Sequence, residues 1–297
     1  MKIAFGIIVL NGNYVLEETL KNIYPFANQI LIAEGPVTWW QEQGMTTSDD
    51  GTNEILDNFP DPENKISIVH SIYKEKDEQC QAYMQYLKDD NDYIWNLDSD
   101  EVFKPEDIQK ILELLETHRY TTVAFKSLSF YGGFDDVISG FEENAPFIRI
   151  RKIYPGSYWE RHRPPIIAHN PRVGAHIFPE KLLDFNTLAH TYGIRMYHYS
   201  YVFPDQVYQK IKYYKGAVSK DICIDNYFDT IYLPWVLAKT NEDKLKIEQQ
   251  YAGVHEFKPH KRTPTFTRKF NGIHPNIILE NMNNLKLKFD NQLKKYI

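Results

Sequence analysis

Apolar positions divide the first half of the chain into short unbroken runs and longer stretches with helical spacing. Residues 3–10 are continuously apolar and rich in β-branched side chains, the pattern of a strand buried on both faces. Asn11-Gly12-Asn13 interrupts the run. Leu16, Leu20 and Ile23 then give residues 14–23 a helical period, which Pro25 ends. The alternation continues with a strand at 29–33, a helix at 52–59, a strand at 66–70, a helix at 77–87 and a strand at 93–97. A helix at 105–116 has Pro near its start and Ile108, Ile111, Leu112 and Leu115 on one face. Strands at 121–130 and 147–153 complete the regular part. Strands alternating with helices predict a mostly parallel central sheet flanked by helices, an α/β fold. In such open sheets ligands collect beyond the carboxyl ends of the strands, which singles out the loops after Leu10, Ala33, His70 and Leu97.

The second half is less periodic. Residues 156–179 are rich in Pro, Arg and His and read as a long loop region, which is uncommon unless functional. Residues 197–202 read as a strand, and 204–214 and 241–250 as helices. The chain shows no internal repeat or low-complexity segment, only a modest Lys/Asn bias after Asn276.

Composition narrows the function classes. The formal charge of −6 argues against nucleic acid as the main partner, because phosphate binding needs clustered cations. The charge is uneven, with nine Lys/Arg against three Asp/Glu over residues 255–297, a basic end able to face an anionic acceptor or membrane surface. The 21 Tyr suit both sugar or base contacts and mixed cores. Cys80 and Cys223 fit no metal spacing and point to a reducing compartment. No run approaches the roughly 20 apolar residues of a membrane helix, and no cleavage site follows the first apolar run, so the expectation is a cytoplasmic protein without a transmembrane segment.

The sharpest chemical signal is Tyr93-Ile94-Trp95-Asn96-Leu97-Asp98-Ser99-Asp100-Glu101, an apolar strand running directly into three carboxylates. Crowded carboxylates repel unless a cation neutralises them. Oxygen-only ligands suit Mg²⁺ or Mn²⁺ bound together with a substrate diphosphate. A solvated acidic turn capping the next helix is the plain alternative. Asp-x-Asp after a buried fourth strand resembles family 2 glycosyltransferases with the glycosyltransferase A (nucleotide-diphospho-sugar transferase) fold. The opening stretch IAFGIIVLNGNYVLEETLKNIYPFANQILIAEG resembles that family's first strand, helix and second strand, and Ser48-Asp49-Asp50-Gly51-Thr52 resembles its Ser/Asp/Gly/Thr loop. His198-Tyr199-Ser200-Tyr201 and Gly272-Ile273-His274-Pro275 resemble segments near the C-terminus of related transferases. The resemblance runs over about residues 1–130 and is patchy beyond.

The resemblance implies a set of roles. Asp98 and Asp100 hold the metal, Asp100 directly and Asp98 nearer the ribose, with Ser99 beside the donor and His198 as a third ligand. Glu34 stands where the family has an Asp against the nucleoside, and Asn11, Asp77 and Gln81 border the nucleotide pocket. Between Glu34 and Ser48 lies a longer loop whose Trp39 and Trp40 can stack on a sugar or base or anchor the loop to the core. For the catalytic base, family members place a carboxylate, often in a His-Glu pair. Here Tyr158-Trp159-Glu160-Arg161-His162-Arg163 stands at that place, so Glu160 and His162 are the candidates, Arg163 replaces the Glu, and Asp135 and Asp136 are a further option.

The implied activity is transfer of a hexose-like sugar from a nucleoside-diphosphate-sugar to a glycan, lipid-linked or protein acceptor hydroxyl. Mn²⁺ or Mg²⁺ sits on the diphosphate, and UDP- or GDP-sugars are expected before dTDP-sugars. The expected organisation is a catalytic domain over 1–203 and a C-terminal, mostly helical extension over 204–297 on the acceptor side. Two other readings compete. Asp98-Ser99-Asp100-Glu101-Val102 also satisfies the signature of haloacid-dehalogenase-type phosphohydrolases, although about 90 residues of strand–helix units precede it where that motif opens a domain. A catalytically inactive sugar-nucleotide or glycan-binding module is the other. A nucleotidyltransferase is disfavoured, because Asn11-Gly12-Asn13 is not a basic, Gly-rich loop.

Overall fold

The computed structural model describes residues 1–154, 156–162, 165–168, 180–218, 223–258 and 264–297, and the side chains of 165–168 and 218 are left aside. The described strands are β1 (Ile3–Val9), β2 (Gln29–Glu34), β3 (Ile66–His70), β4 (Tyr93–Asp98), β5 (Glu101–Val102), β6 (Thr122–Phe125) and β7 (Ser127–Tyr131). They continue with β8 (Asp136–Ile138), β9 (Phe147–Lys152), β10 (Tyr158–His162), β11 (Pro165–Ala168), β12 (Leu182–Leu183), β13 (Met196–Tyr201) and β14 (Thr267–Lys269). Two compact units share them: Met1–Lys126 with Pro146–Met196, and Ser127–Ala145 with Tyr197–Ile297. Compactness thus divides the chain at 196/197 and assigns 127–145 to the second unit, where the sequence suggests one boundary at 203/204.

The first unit is built on a seven-stranded sheet in the order β12-β6-β9-β4-β1-β2-β3. β3, β2, β1 and β4 run parallel, and β9 is the antiparallel member between β4 and β6. This is the mostly parallel, helix-flanked α/β architecture expected from the alternation. The central strands are buried on both faces, as their unbroken apolar runs require. Phe5, Ile7 and Val9 of β1 join Trp95, Leu97, Phe103 and Phe125 on one face. That layer is closed by α1 (Leu16–Ile23) through Leu16 and Leu20, and by α5 (Pro105–His118) through Ile108, Ile111 and Leu115. Trp95 stacks between Phe5 (5.3 Å) and Phe125 (5.5 Å), with Phe103 edge-on at 4.8 Å. Ala4 turns to the other face with Leu31, Ala33 and Ile94, against Cys80, Tyr83 and Met84 of the helix Lys76–Met84. Gly6 shares that face, and a Cβ there would lie 2.6 Å from the fully buried Tyr83 ring, so β1 admits only glycine at this point.

In the second unit β14, β8, β7 and β13 lie side by side in that order. Its core is aromatic: Tyr131, Tyr201, Tyr227, Tyr232 and Trp235 pack with Val207, Ile231 and Val254. Burying so many hydroxyls requires partners for each. Tyr131 and Tyr227 bond each other (3.0 Å), Tyr232 donates to Val202 O (2.6 Å), Tyr201 to Glu256 (2.7 Å) and Trp235 Nε1 to Glu248 (2.7 Å). Ten of the 21 Tyr are buried, in this way or elsewhere in the two units.

Several elements differ from the sequence reading. The strand read over 121–130 breaks at Lys126 into β6 and β7, where the chain passes from one unit to the other. The 156–179 stretch read as loop holds the hairpin β10–β11, while residues 163–164 and 169–179 lie outside the described residues. Its backbone finds side-chain partners on the helix Lys76–Met84, a long-range contact invisible to periodicity. Trp39 and Trp40 fall in the short helix Thr38–Glu42, their rings edge-on at 4.7 Å and Trp40 buried, which favours anchoring over stacking on a ligand. The long helix Asn276–Leu293 was legible only as a Lys/Asn bias, because its buried residues are just Ile278 and Leu285. Among the described residues no helix is long and apolar enough to cross a membrane.

Candidate functional site

The first loop after a parallel strand is Asn11-Gly12-Asn13, and it is laced to the Ser/Asp/Gly/Thr loop. Asn11 N–H donates to Ser48 Oγ (2.9 Å), its amide donates to Asp49 (2.8 Å), and its carbonyl accepts from Asp49 N–H (2.9 Å). Gly12 N–H donates to Thr52 Oγ1 (2.8 Å) and Asn13 N–H to Asp50 (2.9 Å). Glu34, at the carboxyl end of β2, is 1% exposed and anchors the same loop from beneath. Its carboxylate accepts from Ser48 N–H (2.8 Å) and Thr47 Oγ1 (3.2 Å) and faces His70 Nδ1 at 3.0 Å. Nearby, burial and the charge of Glu34 push the Tyr73 hydroxyl up to about 12, so it stays a proton donor, here to Val69 O at 3.1 Å.

The acidic turn follows β4. Register places Asp98 opposite Ile8 of β1, at the same sheet edge as the first loop. Ser99 fills the space beside Gly12, where a Cβ would come within 3.0 Å of its hydroxyl. Its carbonyl accepts from Thr19 Oγ1 at 3.1 Å, which ties the turn to α1. The three carboxylates are not left to repel one another. Arg149 of β9, 7% exposed at its side chain, grips the fully buried Glu101 through Nε (2.8 Å) and through Nη2. The same Nη2 reaches Asp98 at 3.2 Å, and Glu101 also accepts from Asp98 N–H (3.2 Å). The side chains of Asp98 and Asp100 at this turn are only partly buried. Arg149 carries no local motif; it is separated from the turn by about 50 residues and becomes a neighbour only through antiparallel pairing of β9 with β4.

The third group of candidates meets between α4 (Lys76–Met84), numbered after the helices Thr38–Glu42 and Thr52–Asn58, and β10. Gln79 fixes α4 to the sheet by donating to Ala33 O (2.9 Å), Gly35 O (3.2 Å) and Val9 O (3.5 Å), so the first turn of α4 lies at the carboxyl ends of β1 and β2. One turn apart, Asp77 and Gln81 then hold β10. Gln81 accepts from Trp159 N–H (2.7 Å), and Asp77 Oδ1 accepts from His162 N–H (2.8 Å) and faces His162 Nδ1 at 2.6 Å. Burial raises the Asp77 carboxyl, but the His162 backbone and ring together with Arg161 more than offset it, and it stays below the usual carboxylate range. Burial pushes the Cys80 thiol up to about 12, with Asp98 and Asp77 both adding to the rise, so both carboxylates act on one buried thiol. Glu160 is exposed at a bulge, where the register with β11 shifts between Trp159 and Arg161. Arg163 lies outside the described residues.

The remaining candidates belong to the second unit. His198 is a half-buried residue of β13. The two C-terminal motifs meet there: Tyr199 OH bonds His274 Nδ1 (2.8 Å), and Tyr197 OH donates to Ile273 O (3.1 Å). His274 Nε2 faces Phe134 O at 3.0 Å, so Nε2 carries the proton and Nδ1 accepts from Tyr199. Asp135 and Asp136 also lie here. Asp136 is buried and paired with Lys244 (3.2 Å) and Lys269 (3.0 Å).

Residues 46–167 match the glycosyl transferase family 2 model. The match begins just before the Ser48–Thr52 loop and takes in Asp77, Gln81, the acidic turn, Arg149, Glu160 and His162. It starts and ends later than the 1–130 span of the sequence resemblance, and it covers less than half of the chain. With the α/β sheet it supports a family 2-like glycosyltransferase fold of the glycosyltransferase A type. No curated protein matches. Among solved structures, S. aureus TarS 1–349 in complex with UDP-GlcNAc is 14% identical over 45% of this chain and 36% of that one, at a TM-score of 0.34. S. aureus TarS is 11% identical over 86% of this chain and 48% of that one, at 0.41. The TarS 1–349 complex with UDP is 11% identical over 86% and 70%, also at 0.41. The chain thus spans less than half the length of the first two.

Proposed function

We propose that this chain is a metal-dependent glycosyltransferase. It moves a sugar from a nucleoside-diphosphate-sugar, UDP- or GDP-linked, to a hydroxyl of a glycan, lipid-linked or protein acceptor. The observation that carries this reading is the pair of partly buried carboxylates, Asp98 and Asp100, inside the matched segment at the carboxyl end of a parallel strand. Arg149 holds Glu101 and reaches Asp98, and the carboxylates of the turn are oxygen donors that suit Mn²⁺ or Mg²⁺. Asp98 and Asp100 are the residues that would hold such an ion, which when bound neutralises charge developing on the leaving diphosphate. The chain's own part is to fix the turn through Arg149, Thr19 and β4, and to line the donor side with the 47–52 loop. Glu34 acts in this reading by shaping that loop, because its carboxylate is enclosed by Thr47, Ser48 and His70. Two buried free cysteines suit work in a reducing compartment such as the cytoplasm.

The test is a thermal-shift series with UDP, GDP and dTDP, each with and without Mn²⁺, since a ligand that binds only the folded state raises the melting temperature. A Mn²⁺-dependent rise with one nucleotide, lost in Asp100→Ala, is the expected result. No rise with any nucleotide overturns the reading. Hydrolysis of a generic aryl phosphate in its place would assign the turn to phosphohydrolase chemistry.

A further inference from the structure

The proposed transfer needs a group to take the acceptor's hydroxyl proton, and the α4–β10 contact supplies an arrangement for it. Asp77, whose carboxyl stays below the usual range, only accepts hydrogen bonds, so the 2.6 Å contact with His162 requires the proton on Nδ1 of that ring. In the neutral imidazole the lone pair is then on Nε2. The second bond from Asp77, to His162 N–H, fixes the backbone beneath the ring, and Gln81 fixes β10 one turn further along α4. A single contact could be incidental. Here two side chains one helix turn apart hold three atoms of one strand, and the ring remains about a quarter exposed. The pair stands at the edge where the donor turn lies, since Gln79 ties α4 to Val9 O and the neighbouring Ile8 is the register partner of Asp98.

We infer that His162 is the proton acceptor of the transfer and that Asp77 is its positioning residue, a carboxylate–imidazole pair standing where a carboxylate base is expected. The inference rests on the proposed transferase function. In the step, the acceptor oxygen forms a bond to the anomeric carbon while its proton passes to His162 Nε2. The bond from that carbon to the diphosphate oxygen breaks, and its electron pair leaves with the nucleoside diphosphate. Asp77 stabilises the imidazolium that results and keeps the ring in the tautomer that can accept. Glu160, the other candidate, is exposed at the bulge and has no comparable positioning.

Two measurements test this. Nitrogen-15 NMR of the imidazoles in the full chain should show His162 as the Nδ1–H tautomer at high pH, and Asp77→Asn should lose that preference and lower the pH at which the ring titrates. In turnover with the donor found by thermal shift, His162→Ala should cut kcat by about 100-fold or more while the Mn²⁺-dependent nucleotide shift is retained. Asp77→Asn should lower kcat with donor KM little changed and move the acid limb of the pH–rate profile, and Asp77→Glu should recover part of the loss. An Nε2–H tautomer in the wild type, or full turnover in His162→Ala, overturns the pair. Those outcomes are separate from failure of the transferase reading, which shows in the wild type as an absent nucleotide shift.

Discussion

Two carboxylate sites on one edge of the same sheet are treated oppositely by their surroundings. Glu34 ends β2 and is sealed, with each oxygen facing a protein group of its own loop region. Asp98 and Asp100 follow the apolar part of β4 partly open, and the Arg149 guanidinium that reaches Asp98 is shared with Glu101. A buried carboxylate satisfied from within serves as a fixture. One left partly open at a strand's carboxyl end can do electrostatic work on a ligand. Sequence position alone does not separate them, since both follow apolar strands.

The contrast is broken or sharpened most strongly at Asp100. Asp100→Ala should reduce turnover by about 100-fold or more and abolish the metal-dependent nucleotide shift, while the melting temperature without ligand stays close to that of the wild type. A normal nucleotide response in that variant would make the acidic turn a solvated cap and erase the difference from Glu34.

Arg149→Met tests the other half of the argument. Removing the guanidinium leaves Glu101 charged and fully buried, at a cost of about 3–5 kcal/mol in urea unfolding. The double change Arg149→Met with Glu101→Gln should recover much of that loss. If the single variant is as stable as the wild type, Arg149 is not the counter-charge of the turn.

At Glu34 the order of effects should reverse. Glu34→Gln keeps the size but presents an amide NH₂ toward Ser48 N–H or His70, so about 1–3 kcal/mol of stability should go, with faster amide exchange over residues 47–52. Nucleotide binding should weaken only as far as the loop loosens. A complete loss of nucleotide binding at unchanged stability would show Glu34 to be a ligand contact after all.

The same contrast explains what the sequence made legible. β1, β2, β4 and α5 were readable because burial on both strand faces and on one helix face leaves its period directly in the residues. The acidic turn was readable because its chemistry is contiguous. Arg149 and the Asp77–His162 contact were not, because each arises from pairing over about 50 or more residues, and the β10–β11 hairpin lies in a stretch whose Pro, Arg and His content reads as loop. The Tyr-rich second half concealed its order for a further reason: its core is closed by hydroxyl hydrogen bonds as much as by apolar periodicity.

The smallest predicted effect asks whether the same distinction separates histidines. His274 is 8% exposed and ringed by Phe130, Phe134 and Phe270. Burial holds its pKa below the ordinary value, offset in part by the bond to Phe134 O and by Asp135. The folded state therefore favours the neutral ring, which bonds both Tyr199 and Phe134, while the unfolded chain takes up a proton near the usual pH of about 6.5. Its contribution to stability is present above that pH and is lost as the pH falls from there through the lowered folded value. Urea midpoints measured from pH 8 to 5 should decline more steeply in the wild type than in His274→Asn, which cannot titrate. Parallel declines would show that protonating His274 costs the fold nothing, and would leave Tyr199 and Phe134 without the fixed tautomer that joins the two C-terminal motifs.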